Sequence, residues 1–229
     1  MLYNKIICFD FETGGKDQKT CDPIQIAAVV INPWSLELYK DKKGDPIYFE
    51  SLMRPLDFSK LEPRALEVNK KTIEQLEAAP LQSVVWEQFA SFCAQYTMQG
   101  KSDSWSAPIA AGYNINNFDM VIVQRLCETY KMLNKEGTQS IFHHVHRHDL
   151  MPIVTHWFNG QKEPSKYNMD ALRDYFGMSK ENAHDALQDV LDTAAILCRF
   201  MKLTRTLQDP DKKPRIKFKD SFREVATTK

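Results

Sequence analysis

The sequence predicts a mixed α/β fold, a sheet with helices packed on it, from two observations. Three strand-like segments come first in the chain. Segments of helical periodicity then alternate with single short strands. The first strand is Leu2 to Phe11, rich in Ile, Phe and Tyr and closed by the turn signal Thr13-Gly14-Gly15. The second is Ile24 to Asn32, an apolar run between Pro23 and Pro33, the form of a buried strand. The third is Pro46 to Arg54, with Lys40 to Asp45 and Gly44 as the hairpin turn before it. Three strands in succession predict an antiparallel meander.

From Pro80, read as a first-turn proline, Val85, Phe89, Phe92, Cys93 and Tyr96 recur at helical spacing. Pro108 to Tyr113 returns to a short strand. Phe118, Val121, Ile122, Arg125, Leu126 and Tyr130 give a second amphipathic helix. Ser165 or Asn168 caps a short helix that stops at Gly177. The last strong element runs from Ala186 to about Leu203, with Leu187, Val190, Leu191, Ala194, Leu197, Cys198 and Met201 as its apolar stripe. After Gln208 the periodicity fails, and residues 209–229 hold seven Lys or Arg against four Asp or Glu. The expected organisation is one domain over residues 1–203 and a basic, extended tail over 204–229. That tail is open to three uses: a nucleic-acid backbone, a protein partner such as a polymerase, or solvent.

The 229 residues are 43% hydrophobic and 26% charged, which excludes a disordered chain and a membrane-spanning bundle. Thirty basic residues balance thirty acidic ones, so bulk electrostatics would not hold a nucleic acid. Any such attraction is local or borrowed from metal ions. Five cysteines without a CxxC pair read as buried thiols of a reduced, cytoplasmic protein. The start of the chain lacks a signal peptide's apolar core, and no run is apolar enough for a membrane span.

Asp10 and Glu12 are two apart at the end of an apolar strand, so both carboxylates face one side. Two like charges at the edge of a core are expensive, and a divalent cation with oxygen ligands resolves the repulsion. Asp119 opens the helix after the strand that ends at Tyr113. Asp185 with Gln188 resembles a capping box, which puts Asp189 in the first turns of the last helix. His184 then precedes that helix, free to swing toward Asp189. Taken singly, each of these residues reads as an ordinary solvated acid or loop histidine. Together, four carboxylates can hold two Mg²⁺ ions, with Mn²⁺ as a substitute, and a neutral imidazole can take a proton from an attacking water.

Three segments carry a family likeness: Phe9-Asp10-Phe11-Glu12-Thr13-Gly14, then Gly112-Tyr113-Asn114 leading to Phe118-Asp119, then His184 with Asp189 and Asp192-Thr193-Ala194. In this order and spacing the chain resembles the DnaQ-like, DEDDh-type 3′–5′ exonucleases. The resemblance implies an RNase H-like fold, a five-stranded mixed sheet flanked by helices. It implies that Asp10, Glu12 and Asp189 hold the catalytic metal, that Asp10 and Asp119 serve a second ion, and that His184 is the general base. It implies that the backbone of Thr13 and Gly14 meets a terminal 3′-hydroxyl, with Phe11, Asn114 and Phe118 near the last nucleotide. The implied substrate is a single-stranded 3′ end, DNA first and short RNA as the alternative, and the products are nucleoside 5′-monophosphates. Where many relatives have His-Gly-Ile-Thr, this chain reads Asn69-Lys70-Lys71-Thr72, so a contact there falls to Asn69 or the lysines.

Three further features are read as bystanders. His144, His146 and His148 would share a strand face, but without a fourth zinc ligand of matching spacing. Trp86 and Trp157 read as core, and Trp105 as the better stacking position. Asp149, in His148-Asp149-Leu150, reads as structural.

Overall fold

The computed structural model describes residues 4–98, 103–180 and 185–206. Strands β1 (Ile6–Thr13), β2 (Pro23–Ile31) and β3 (Tyr48–Leu52) form the expected antiparallel meander. Helices α1 (Pro63–Val68), α2 (Ile73–Glu77) and α3 (Gln82–Ala94) lead to β4 (Ile109–Gly112). Then follow α4 (Asp119–Thr129), β5 (Arg147–Asp149), α5 (Leu150–Phe158), α6 (Met169–Phe176) and α7 (Ala186–Thr206). Among the described residues the sheet has five strands in the order β3-β2-β1-β4-β5, with β4 and β5 parallel to β1.

Every residue of β2 is buried, as a strand inside the sheet and covered on both faces requires. The alternation along β1 divides its side chains between two layers. Ile7, Phe9 and Phe11 enter a core built with Trp86 and Phe89 of α3 and Ile122, Val123 and Leu126 of α4. Phe9 stacks on Phe142 at 4.9 Å between ring centroids. Cys8, Asp10 and Glu12 point to the opposite face, where the Cys8 thiol donates to the Val190 carbonyl of α7 at 3.8 Å.

The chain divides into two units, residues 1–194 and 195–229. Of the second, residues 195–206 are described, and they continue α7 as helix. The basic tail of 209–229 lies outside the described residues.

Several expectations need correction in detail. Pro80 lies just outside α3, whose N-cap is Leu81. The stripe of α7 is rotated: Ala186, Val190 and Ala194 are buried, while Leu187 and Leu191 are only half-buried. Trp157 is not core, being 45% exposed, whereas Trp86 is fully buried. Asn168 does cap α6, and Gly177 ends it with a left-handed φ of 64°.

Candidate active site

The parallel ladder between β1 and β4 ends at Cys8 and Ala111. Beyond that point the strands diverge, and the backbone of β1 needs another partner. Asp119, in the first turn of α4, supplies it: its Oδ1 accepts the Phe11 N–H at 3.0 Å. Asp119 is thereby fixed, only 2% exposed, against the strand that carries Asp10 and Glu12. A register shift between Glu12 and Thr13 ends the regular pairing of β1 with β2 immediately after the second carboxylate. The divergence of strands at their carboxyl ends is where open α/β sheets place ligands.

Around Asp10 the structure gathers the other three acids into one electrostatic neighbourhood. Burial holds the Asp10 carboxyl well above the usual range, and repulsion from Asp119, Glu12 and Asp189 adds to it, with Arg173 pulling back. Burial lifts Glu12 to about 7, helped by repulsion from Asp189, Asp119 and Asp185 and opposed by Lys71. Asp119 also stands at about 7 through burial, against the pull of the Phe11 N–H. Oxygen-only, anionic, mutually repelling donors fit hard divalent cations such as Mg²⁺. As the side chains stand, no three His, Cys, Asp or Glu among the described residues are arranged to hold a metal. Asp189 directs its Oδ1 to the Arg173 guanidinium at 2.7 Å. His184 lies outside the described residues.

The other site positions fall into two groups. Glu12, Thr13 and Phe118 line a cleft of about 270 Å³ together with Lys16, Arg64 and Asn69. The Phe11 ring, by contrast, is buried against Phe9 and Trp86, so only its backbone reaches the site. The turn after Glu12 is braced internally. The Thr13 hydroxyl donates to the Gly15 carbonyl, and the Gly14 N–H donates to the Asp22 carbonyl. A Cβ on Gly14 would sit 2.2 Å from Leu61 Cδ2, so any larger residue here has to displace the Leu61 side chain. Asn69, 6% exposed, donates through Nδ2 to the Thr13 carbonyl and is a brace of this turn. Lys70 and Lys71 line a separate cleft of about 450 Å³ with Asp185, Leu187 and Gln188.

Asn114 has a left-handed φ of 58°, which asparagine tolerates. Its N–H and that of Asn116 both donate to Asp149, whose carboxylate also caps α5 by accepting from the Met151 N–H. Asp149 is structural, as expected. The histidine run does not form one strand face, since only His148 lies in β5. The His143 Nδ1 instead accepts the N–H groups of Val145 and His146.

Sequence reasoning missed Arg173. Its Nε, Nη2 and Nη1 donate to Asp192, Asp189 and Asp170 at 2.7, 2.7 and 3.2 Å. An arginine beside Leu172 on a short amphipathic helix was the visible signal; its partners on another helix were not.

A mixed five-stranded sheet of this order, flanked by helices, is the RNase H-like fold. A family profile described as Exonuclease (RNase T) matches residues 7–197. The chain therefore belongs to this exonuclease family, within the DnaQ-like group. No curated protein matches the sequence. Among solved structures the chain is similar to E. coli exonuclease I in complex with a dT13 oligonucleotide, with a TM-score of 0.69 and 19% identity over 90% of this chain and 43% of that one. It is similar to cell-death related nuclease 4, with a TM-score of 0.65 and 20% identity over 88% of this chain and 64% of that one. It is also similar to exonuclease I from Methylocaldum szegediense, with a TM-score of 0.63 and 19% identity over 89% and 44%. The chain thus spans less than half the length of these exonuclease I chains. Among the described residues no helix is long and apolar enough to cross a membrane.

Proposed function

We propose that this chain is a divalent-metal-dependent 3′–5′ exonuclease that releases nucleoside 5′-monophosphates from single-stranded nucleic acid, DNA before RNA. The observation that carries this reading is the gathering of Asp10, Glu12, Asp119 and Asp189 where β1 and β4 diverge, in a chain of the exonuclease family. The DNA preference is supported by the dT13 and dA16 oligonucleotides bound in the E. coli exonuclease I structures.

In this reading Asp10, Glu12, Asp119 and Asp189 would hold two Mg²⁺ ions, with Mn²⁺ able to replace them. Bound there, the cations supply Lewis-acid activation and charge neutralisation at the phosphate. Water adds to the terminal phosphorus and gives its proton to His184. The P–O3′ bond breaks and the freed 3′-oxygen takes up a proton from solvent, leaving a 5′-monophosphate and a strand shorter by one nucleotide with a new 3′-hydroxyl. Asp119, anchored on the Phe11 N–H, keeps its carboxylate fixed against β1 during the reaction. The cleft lined by Glu12, Thr13 and Phe118 would receive the last nucleotide, and Arg64 and Lys16, which also line it, would supply positive charge for the phosphates.

The test is digestion of 5′-labelled single-stranded DNA and RNA of one sequence with Mg²⁺ or with chelator. A Mg²⁺-dependent ladder shortening from the 3′ end is expected. Asp10→Ala and His184→Ala should each slow it by about a hundredfold or more. Tight binding without a ladder would turn the assignment to a non-catalytic nucleic-acid-binding module.

A further inference from the structure

The Arg173 guanidinium has almost no contact with solvent, its side chain being 1% exposed. Three carboxylates surround it: Asp170 from its own helix, one turn away, and Asp189 and Asp192 from α7. The last two are three residues apart, so they stand on one face of α7 and meet the guanidinium fork side by side. Asp192 is itself fixed, because its other oxygen accepts from the Gln188 side chain at 2.8 Å. Asp189 is the more exposed of the two, at 18% against 8%. It also repels Asp10 and Glu12 across the site.

This arrangement meets two facts at once. The acids at the end of β1 repel one another, with Arg173 the cation that offsets this at Asp10 and Lys71 the one that offsets it at Glu12. Yet no three of the described acids are arranged around a common cation position. We propose that Arg173 is a positioning residue that holds Asp189 in reserve in the metal-free chain and surrenders it when a divalent cation enters. Surrender is feasible because Arg173 keeps Asp192 and Asp170, so no buried charge is stranded when Asp189 turns away. The arrangement lowers the repulsion around Asp10 while the site waits, and the entering cation competes with a guanidinium for the carboxylate. The inference rests on the metal-site reading above.

The test is Mn²⁺ binding to the full chain at fixed pH and ionic strength, followed by electron paramagnetic resonance, for wild type, Asp10→Asn, Arg173→Lys and Arg173→Gln. Circular dichroism and thermal melting in chelator accompany each variant. Lysine keeps the charge but lacks the fork that grips two carboxylates. Arg173→Lys is therefore expected to bind Mn²⁺ about fivefold more tightly than wild type and to melt at lower temperature without metal. Arg173→Gln should go further in both respects. Tighter binding by the glutamine variant alone would overturn the proposal, since it would reflect net charge and not the grip on Asp189. Unchanged or weaker binding by Arg173→Lys would also overturn it and show a role confined to joining α6 and α7. Wild type that binds no Mn²⁺, or binds it as well as Asp10→Asn does, would remove the metal-site reading and the positioning role of Arg173 with it. If Arg173→Gln does not fold, Arg173→Lys decides alone.

Discussion

At the scale of single residues, the acids of the site are out of balance with their surroundings. Glu12 and Asp119 hold their protons to about 7, while in the unfolded chain they lose them near 4.5 and 3.8. Between those values the unfolded chain binds fewer protons than the folded one, so stability falls as pH rises. Between pH 5 and pH 8 each such carboxylate costs the metal-free fold on the order of 2 kcal/mol. In chelator, the melting temperature should therefore drop by about 4–8 °C per carboxylate between pH 5 and pH 8. Glu12→Gln should flatten that slope, and Mg²⁺ should raise the melting temperature more at pH 8 than at pH 5.5. A slope unchanged in the variant would show that Glu12 is not a source of it. Asp10 and Glu12 were legible in the sequence because a strand's period places i and i+2 together. Arg173 was not, because its partnership joins two helices that only the folded chain brings side by side.

At the scale of elements, one carboxylate organises the approach to the site. Asp149 ends β5, caps α5 and takes the N–H groups of Asn114 and Asn116 in the loop that leads to Asp119. Asp149→Ala leaves three N–H groups without their acceptor. Loss on the order of 2–4 kcal/mol is expected, read as a lowered denaturation midpoint. Nuclease activity should fall in the surviving folded fraction, because Asn114 and Asp119 lose their common support. Long or strongly patterned elements such as β2 and α4 were readable from periodicity alone. The short α1, which buries no side chain at all, gave no periodic signal to read. The capping box expected at Asp185 is half made. Asp185 accepts the Gln188 N–H at 3.4 Å, but the Gln188 side chain turns to Asp192. A spacing rule sees both arms, and the competing partner appears only in the fold.

At the scale of the whole molecule, the sheet order follows from the early meander and the later helices, and the sequence predicted both. The pairing of β4 beside β1, which opens the site, and of β5 beside β4 needed tertiary structure to appear. The five cysteines supply a different kind of consequence. None is in a disulfide and all are buried. Native protein should react slowly with a thiol reagent such as dithionitrobenzoate and release five equivalents on denaturation; rapid native reaction would contradict this burial. With no accessible thiol competing, a cysteine introduced on an exposed surface would be the one fast-reacting handle in the wild-type background. A fluorophore attached there could follow strand engagement in solution, while the slow appearance of the native thiols would serve as an independent clock for global opening.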